Sequence, residues 1–124
     1  ADWQTDIGAA FAGATLSAIY ANLSDTPPLA HARKLMDRNA PLAMGAAIPI
    51  IDAARNTGTI EAALEMEYRF TYRAVADSDF IEGIRAAIID RDRTPKWRDT
   101  TAGDILKMTA PLGAATLDLS GAKL

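Results

Sequence analysis

A single valine in 124 residues leaves this chain with little from which to build a sheet. Strands draw on β-branched and aromatic side chains, whereas alanine, leucine, methionine and arginine favour helix. Alanine fills 26 positions, beside 11 isoleucines, 11 leucines, 4 methionines and 8 aromatic residues. The expected fold is all-α in this chain. With alanine set aside, the remaining core is thin for the length. That implies closely packed helices and a surface that completes its burial on something outside these residues.

The apolar periodicity and the capping residues divide the chain into seven helices. Trp3, Ile7, Ala10 and Phe11 recur at helical spacing behind Asp2, with Gly13 as a left-handed terminator. Thr15 opens a second helix with Leu16, Ile19, Tyr20 and Leu23 inward. The Pro27-Pro28 pair starts a third, in which Leu29, Ala32, Leu35 and Met36 form the apolar face and Arg33, Lys34, Asp37 and Arg38 stay solvated. Pro41 begins the most apolar segment, the expected central helix, with a kink at Pro49 where no N–H reaches the carbonyl of Gly45. Thr59 caps a fifth helix carrying the stripe Ile60, Leu64, Tyr68, Tyr72 and Val75. Asp79 and Glu82 have the spacing of a capping box for a sixth, with Phe80, Ile84, Ala87 and Ile88 inward, and Thr101 and Asp104 mark a seventh. No linker or repeat interrupts the series. Residues 1–110 thus read as one helical segment and 111–124 as a mobile C-terminal tail.

A net charge of −3 and a pI near 5.0 lack the positive field that nucleic-acid binding requires. Without cysteine there is no disulfide framework or thiolate nucleophile, and a reduced cytoplasmic setting is expected. The longest apolar stretch, Pro41 to Ile51, is too short to span a bilayer, so no membrane partner is expected. The first residue is Ala1, which fits either processing or a start inside a longer polypeptide.

Chemistry-bearing residues are sparse. His31 stands alone on the polar side of its helix, and no metal is implied because metal sites need convergent ligands. Glu61, Glu65 and Glu67 resemble an acid/base group, but helical spacing puts Glu61 and Glu65 on a solvated face, with Glu65 and Arg69 an exposed i, i+4 pair. Between Asp90 and Asp99, Arg91, Arg93, Lys96 and Arg98 surround Trp97 and could receive phosphate oxygens; interspersed aspartates weaken that field and favour a charged loop anchored by Trp97.

Three elements follow one another in order and spacing: Glu67-Tyr68-Arg69, then Asp79-Phe80 with Glu82-Gly83-Ile84-Arg85-Ala86, then Ile89-Asp90 with Pro95-Lys96-Trp97. This series resembles the C-terminal segment of 3-hydroxyisobutyryl-CoA hydrolases within the crotonase superfamily, over about Trp3 to Leu106. Arg91 departs from the Lys of many relatives, which preserves charge and changes hydrogen-bond geometry. The resemblance implies the helical C-terminal segment of a crotonase-like α/β enzyme that acts on an acyl-CoA without a cofactor. The backbone oxyanion hole and the acidic groups would lie upstream, so no catalytic residue falls in this chain. Its expected work is to cover the acyl-CoA site and pack on that upstream core, with Phe80 and Trp97 as candidate substrate-binding residues. Association into a homo-oligomer is open by analogy. Two alternatives stand beside this reading: an enoyl-CoA hydratase or isomerase of the same superfamily, and an independent helical interaction module.

Overall fold

A computed structural model describes residues 2–121 and shows helices with no strand among them. The chain forms two compact units, Ala1–Ala40 and Pro41–Leu124. The sequence offers no break there, because Pro41 reads only as the start of one more helix.

The first unit holds α1 (Trp3–Ala10), α2 (Leu16–Asn22) and α3 (Leu29–Met36). The Asp2 carboxylate accepts the Gln4 N–H, and the Thr15 hydroxyl accepts that of Ala18, so both caps form where the sequence puts them. Ala10, Leu23 and Leu29 make the core, with Ile7, Tyr20 and Met36 packed against it. Trp3 and Phe11, expected inward, remain exposed. Gly13 is not left-handed. Its role is steric, since a Cβ there would lie 2.9 Å from the Ile19 nitrogen. Arg33, expected in solvent, is half-buried and donates to the carbonyls of Tyr20 and Leu23 at 3.2 and 2.6 Å, finishing the end of α2.

The second unit contains α4 (Pro41–Thr57), α5 (Ile60–Asp77), α6 (Phe80–Ile84) running into a π-helical turn (Arg85–Ile89), and α7 (Ala102–Thr109). A 3-10 turn at Gly113–Ala115 falls within the segment expected to be a tail. α4 packs against both α5 and α7, which also pack on each other, so the predicted central helix is central in this unit. It continues through Pro49 without interruption. Its crossing with α7 depends on Gly45, where a Cβ would stand 2.6 Å from Ile105 Cδ1. Leu42, Ala46, Ala86 and Met108 are the buried apolar residues here.

Two expected inward faces remain uncovered. α5 has no buried residue, and Ile60, Tyr72 and Val75 of its stripe are more than half exposed, at 59%, 56% and 63%. On α6, Phe80 and Ile88 are exposed while Ala86, not Ala87, is buried. For Ala86, Ala87 and Ile88 the cause is the π turn, which begins at Arg85, after Phe80. Its Asp90 N–H bonds the Arg85 carbonyl five residues back, and the wider turn shifts the phase of every later side chain.

Candidate functional site

The second and third sequence elements of the second unit meet in one polar framework. The expected capping box at Asp79 and Glu82 does not form: Asp79 makes no side-chain cap, and the Ser78 hydroxyl takes the Phe80 N–H at 3.1 Å instead. Asp79 is 6% exposed, and its Oδ1 accepts both the backbone N–H and the Nε–H of Arg98, at 3.3 and 3.0 Å. Arg98 also donates to the Asp77 carbonyl at 2.8 Å, tying the loop back to the end of α5.

Glu82 is engaged in the same way. Arg85 donates Nε–H and Nη2–H to its two oxygens at 2.9 and 2.8 Å, and the Lys96 N–H donates at 2.7 Å. The Arg85 guanidinium and the Lys96 amide hold the Glu82 carboxyl down at about 2, from an ordinary 4.5. Arg85 also reaches Asp90 and Asp92, each at 2.7 Å, and the Thr94 carbonyl. Its own pKa is pushed up by these carboxylates, Glu82 first, and Asp92 is held at about 2 by Arg85 and then by the Thr94 amide. One arginine thereby gathers the turn after α6. Within that turn Arg91 and Arg93 both sit at φ 56°, a left-handed region that side-chain-bearing residues rarely enter. The Arg93 N–H bond to the Ala86 carbonyl fastens the loop there.

Trp97 is half-buried, with its six-membered ring edge over Gly83: a Cβ at that glycine would lie 3.4 Å from Cη2. Phe80 is 51% exposed at the start of α6. The two candidate substrate-binding residues therefore sit on one supersecondary unit, Trp97 as an anchor of the loop and Phe80 on its outer surface.

The first element has an equally architectural role that its spacing hides. Glu65 and Arg69, expected as an exposed pair, are only 21% and 18% exposed at the side chain and bond bidentately at 2.9 and 2.8 Å. Arg69 continues to the Thr109 carbonyl, and Arg73 one turn later reaches the carbonyls of Met108, Ala110 and Pro111. Together they satisfy the carbonyls that end α7, which no intrahelical donor can reach. The sequence signal for this was two arginines four apart on one helix face. What it lacks is the partner, which lies 35 to 40 residues away.

The remaining candidates do not converge. His31, Glu61 and Glu67 are exposed, and among the described residues no group of three His, Cys, Asp or Glu side chains is placed to hold a metal ion. No helix among them is long and apolar enough to cross a membrane. Chemically, the framework is a clamp. A general base works best with a pKa near the working pH, and Glu82 and Asp92 are paired with Arg85 and held far below neutrality.

Fold and site together define a helical unit whose motif residues serve packing and whose apolar faces are left open. The chain belongs to the enoyl-CoA hydratase/isomerase family, which residues 1–110 match. It is 33% identical over 101 residues to the mitochondrial 3-hydroxyisobutyryl-CoA hydrolase of Rattus norvegicus, covering 80% of this chain and 26% of that protein. It is 31% identical over 118 residues to the Mus musculus enzyme of the same name, covering 90% of this chain and 30% of that protein. The crystal structure of an enoyl-CoA hydratase from Rhodobacter sphaeroides 2.4.1 superposes with a TM-score of 0.87 at 44% identity, over 93% of this chain and 36% of the other. The chain thus spans about a quarter to a third of the length of these curated relatives.

Proposed function

We propose that this chain is the helical part of an acyl-CoA thioester hydrolase similar to 3-hydroxyisobutyryl-CoA hydrolase, and that it acts by packing on an upstream core and covering the acyl-CoA site. The observation that carries this reading is the match to enzymes of that name across 80% and 90% of the chain. The clamp supports it from the other side. Glu82 and Asp92 are committed to structural pairing, which supports a reading in which the groups that polarise the thioester carbonyl and activate water belong to the core. In the reaction, water adds to the carbonyl and the CoA thiolate leaves, giving the free acid and, after protonation, CoA, without a cofactor. Phe80 and Trp97 are the side chains of this chain proposed for the pocket wall, and the cytoplasm is the proposed compartment.

A second reading, hydration of an enoyl-CoA, is favoured by the 44% identity to a solved enoyl-CoA hydratase. The natural full-length polypeptide decides between them when supplied with 3-hydroxyisobutyryl-CoA and, separately, with a 2-enoyl-CoA. Release of free CoA thiol from the first is expected. Hydration of the second without thiol release overturns the hydrolase assignment.

A further inference from the structure

One buried polar atom of the second unit is left without a donor. The Asp79 side chain is only 3% exposed, and its Oδ2 meets no hydrogen-bond donor among the described residues. Arg98 is engaged elsewhere: its amide and its Nε–H both go to Oδ1, and its Nη2–H goes to the Asp77 carbonyl. A buried carboxylate oxygen bears the full loss of its hydration unless something donates to it, so such atoms are nearly always paired in folded proteins.

Asp79 lines a recess of about 60 Å³ where the end of α5, the start of α6, the loop before α7 and the first turn of α7 come together. At about 10–15 Å³ for each water-sized group, it has room for a few of them. Asp77, Asp99 and Asp104 line it with Asp79, beside Arg98 and the apolar Leu42. Lys107 bonds Asp77 at 2.6 Å, so with Arg98 two cations face four carboxylates. The excess negative charge rejects an anion and selects a cation over neutral water. No three of the described His, Cys, Asp and Glu side chains converge as metal ligands, and what Oδ2 lacks is a donor. A cation that carries N–H groups supplies charge and donor together. We propose that this recess is a binding site for an ammonium group, either the free ion or the head of a small primary alkylamine, with Asp79 Oδ2 as its acceptor. The site is built from this chain's residues and does not depend on the reaction of the full enzyme.

Amide hydrogen exchange of the natural full-length polypeptide, followed by mass spectrometry over the segment from Arg98 to Asp104, reads the recess locally. The probes are the chlorides of ammonium, ethylammonium, potassium and tetramethylammonium at equal ionic strength, the last two carrying charge without N–H. Ammonium is expected to slow exchange in this segment by about twofold where its concentration equals the dissociation constant, and further above it, while potassium and tetramethylammonium leave it unchanged. A matching effect of ethylammonium assigns the site to alkylamines, and its absence assigns it to the free ion. Asp79→Asn keeps an oxygen for Arg98 and presents N–H groups in place of Oδ2, so the ammonium effect should vanish. Asp99→Asn, at an exposed position, removes one charge and should weaken the effect severalfold, which keeps the test decisive even where Asp79→Asn does not fold. Equal slowing by all four salts, or by none, overturns the proposal and leaves Oδ2 to water. An ammonium effect undiminished in these variants overturns it as well.

Discussion

Gly45 and Gly83 look alike in the sequence, each a glycine inside a helical pattern, and the structure separates them by what their missing Cβ would meet. At Gly45 a methyl would lie 2.6 Å from Ile105 Cδ1, inside the α4/α7 crossing. Gly45→Ala is expected to destabilise by about 1–3 kcal/mol through overpacking, net of the better helix propensity of alanine. At Gly83 the nearest atom is Trp97 Cη2 at 3.4 Å, ordinary contact distance. Gly83→Ala should therefore be neutral or stabilise by up to about 1 kcal/mol. Urea titration of the two variants tests the contrast, and equal losses would refute it. Phe80 is the companion case. A buried phenylalanine costs about 3–5 kcal/mol on truncation, but Phe80 is 51% exposed, so Phe80→Ala should cost about 1 kcal/mol or less in this chain. A loss of full-length activity at unchanged stability is then the signature of its proposed pocket role; a large stability loss in the 124-residue chain would contradict the exposure.

Elements are held here by side chains that reach backward or across. α7 begins with the capping box that the sequence also offers to α6. Thr101 Oγ1 accepts the Asp104 N–H at 3.2 Å, and the Asp104 carboxylate accepts the Thr101 N–H at 2.8 Å. Thr101→Ala should cost about 0.5–2 kcal/mol in thermal or urea unfolding, and no loss would mean that α7 is held by Arg69 and Arg73 alone. The α6 clamp predicts a pH dependence. Glu82 and Asp92 titrate at about 2 in the folded chain, below their ordinary 4.5 and 3.8. A carboxylate with a depressed folded pKa adds stability that is complete above the unfolded value and is lost as pH falls through the folded one. Stability should therefore decline as pH drops from about 4.5 towards 2, and Arg85→Gln, by removing the shared partner, should flatten that slope. Melting curves across this window that are parallel for both proteins would exclude the clamp as the source.

For the whole molecule, the exposed apolar residues decide its behaviour. Ile51, Ile60, Tyr72, Val75, Ile81, Ile88 and Ile89 are each half or more exposed, whereas among the described residues of the second unit the buried apolar side chains are Leu42, Ala46, Ala86 and Met108. Large exposed apolar patches mark contact sites. The 124-residue chain should bind the dye ANS more strongly, mole for mole, than the natural full-length polypeptide does. Equal dye fluorescence would mean that the faces stay open in both.

Helix content, the starts at Thr15, Pro41, Thr59 and Thr101, and family membership were all legible in the residues, because caps, periodicity and ordered motifs are local. The thin core was legible too, as a count of side chains. What the sequence could not specify was the use of Asp79, Glu82, Arg69, Arg73 and Arg98, since a carboxylate next to a helix start can cap it or bind an arginine far along the chain. The tertiary structure chose the second option. It also ended α6 in a π turn, with Ala86 inward, and left the α5 stripe uncovered. Periodicity says which side chains share a face, but only packing decides whether anything within the chain covers it.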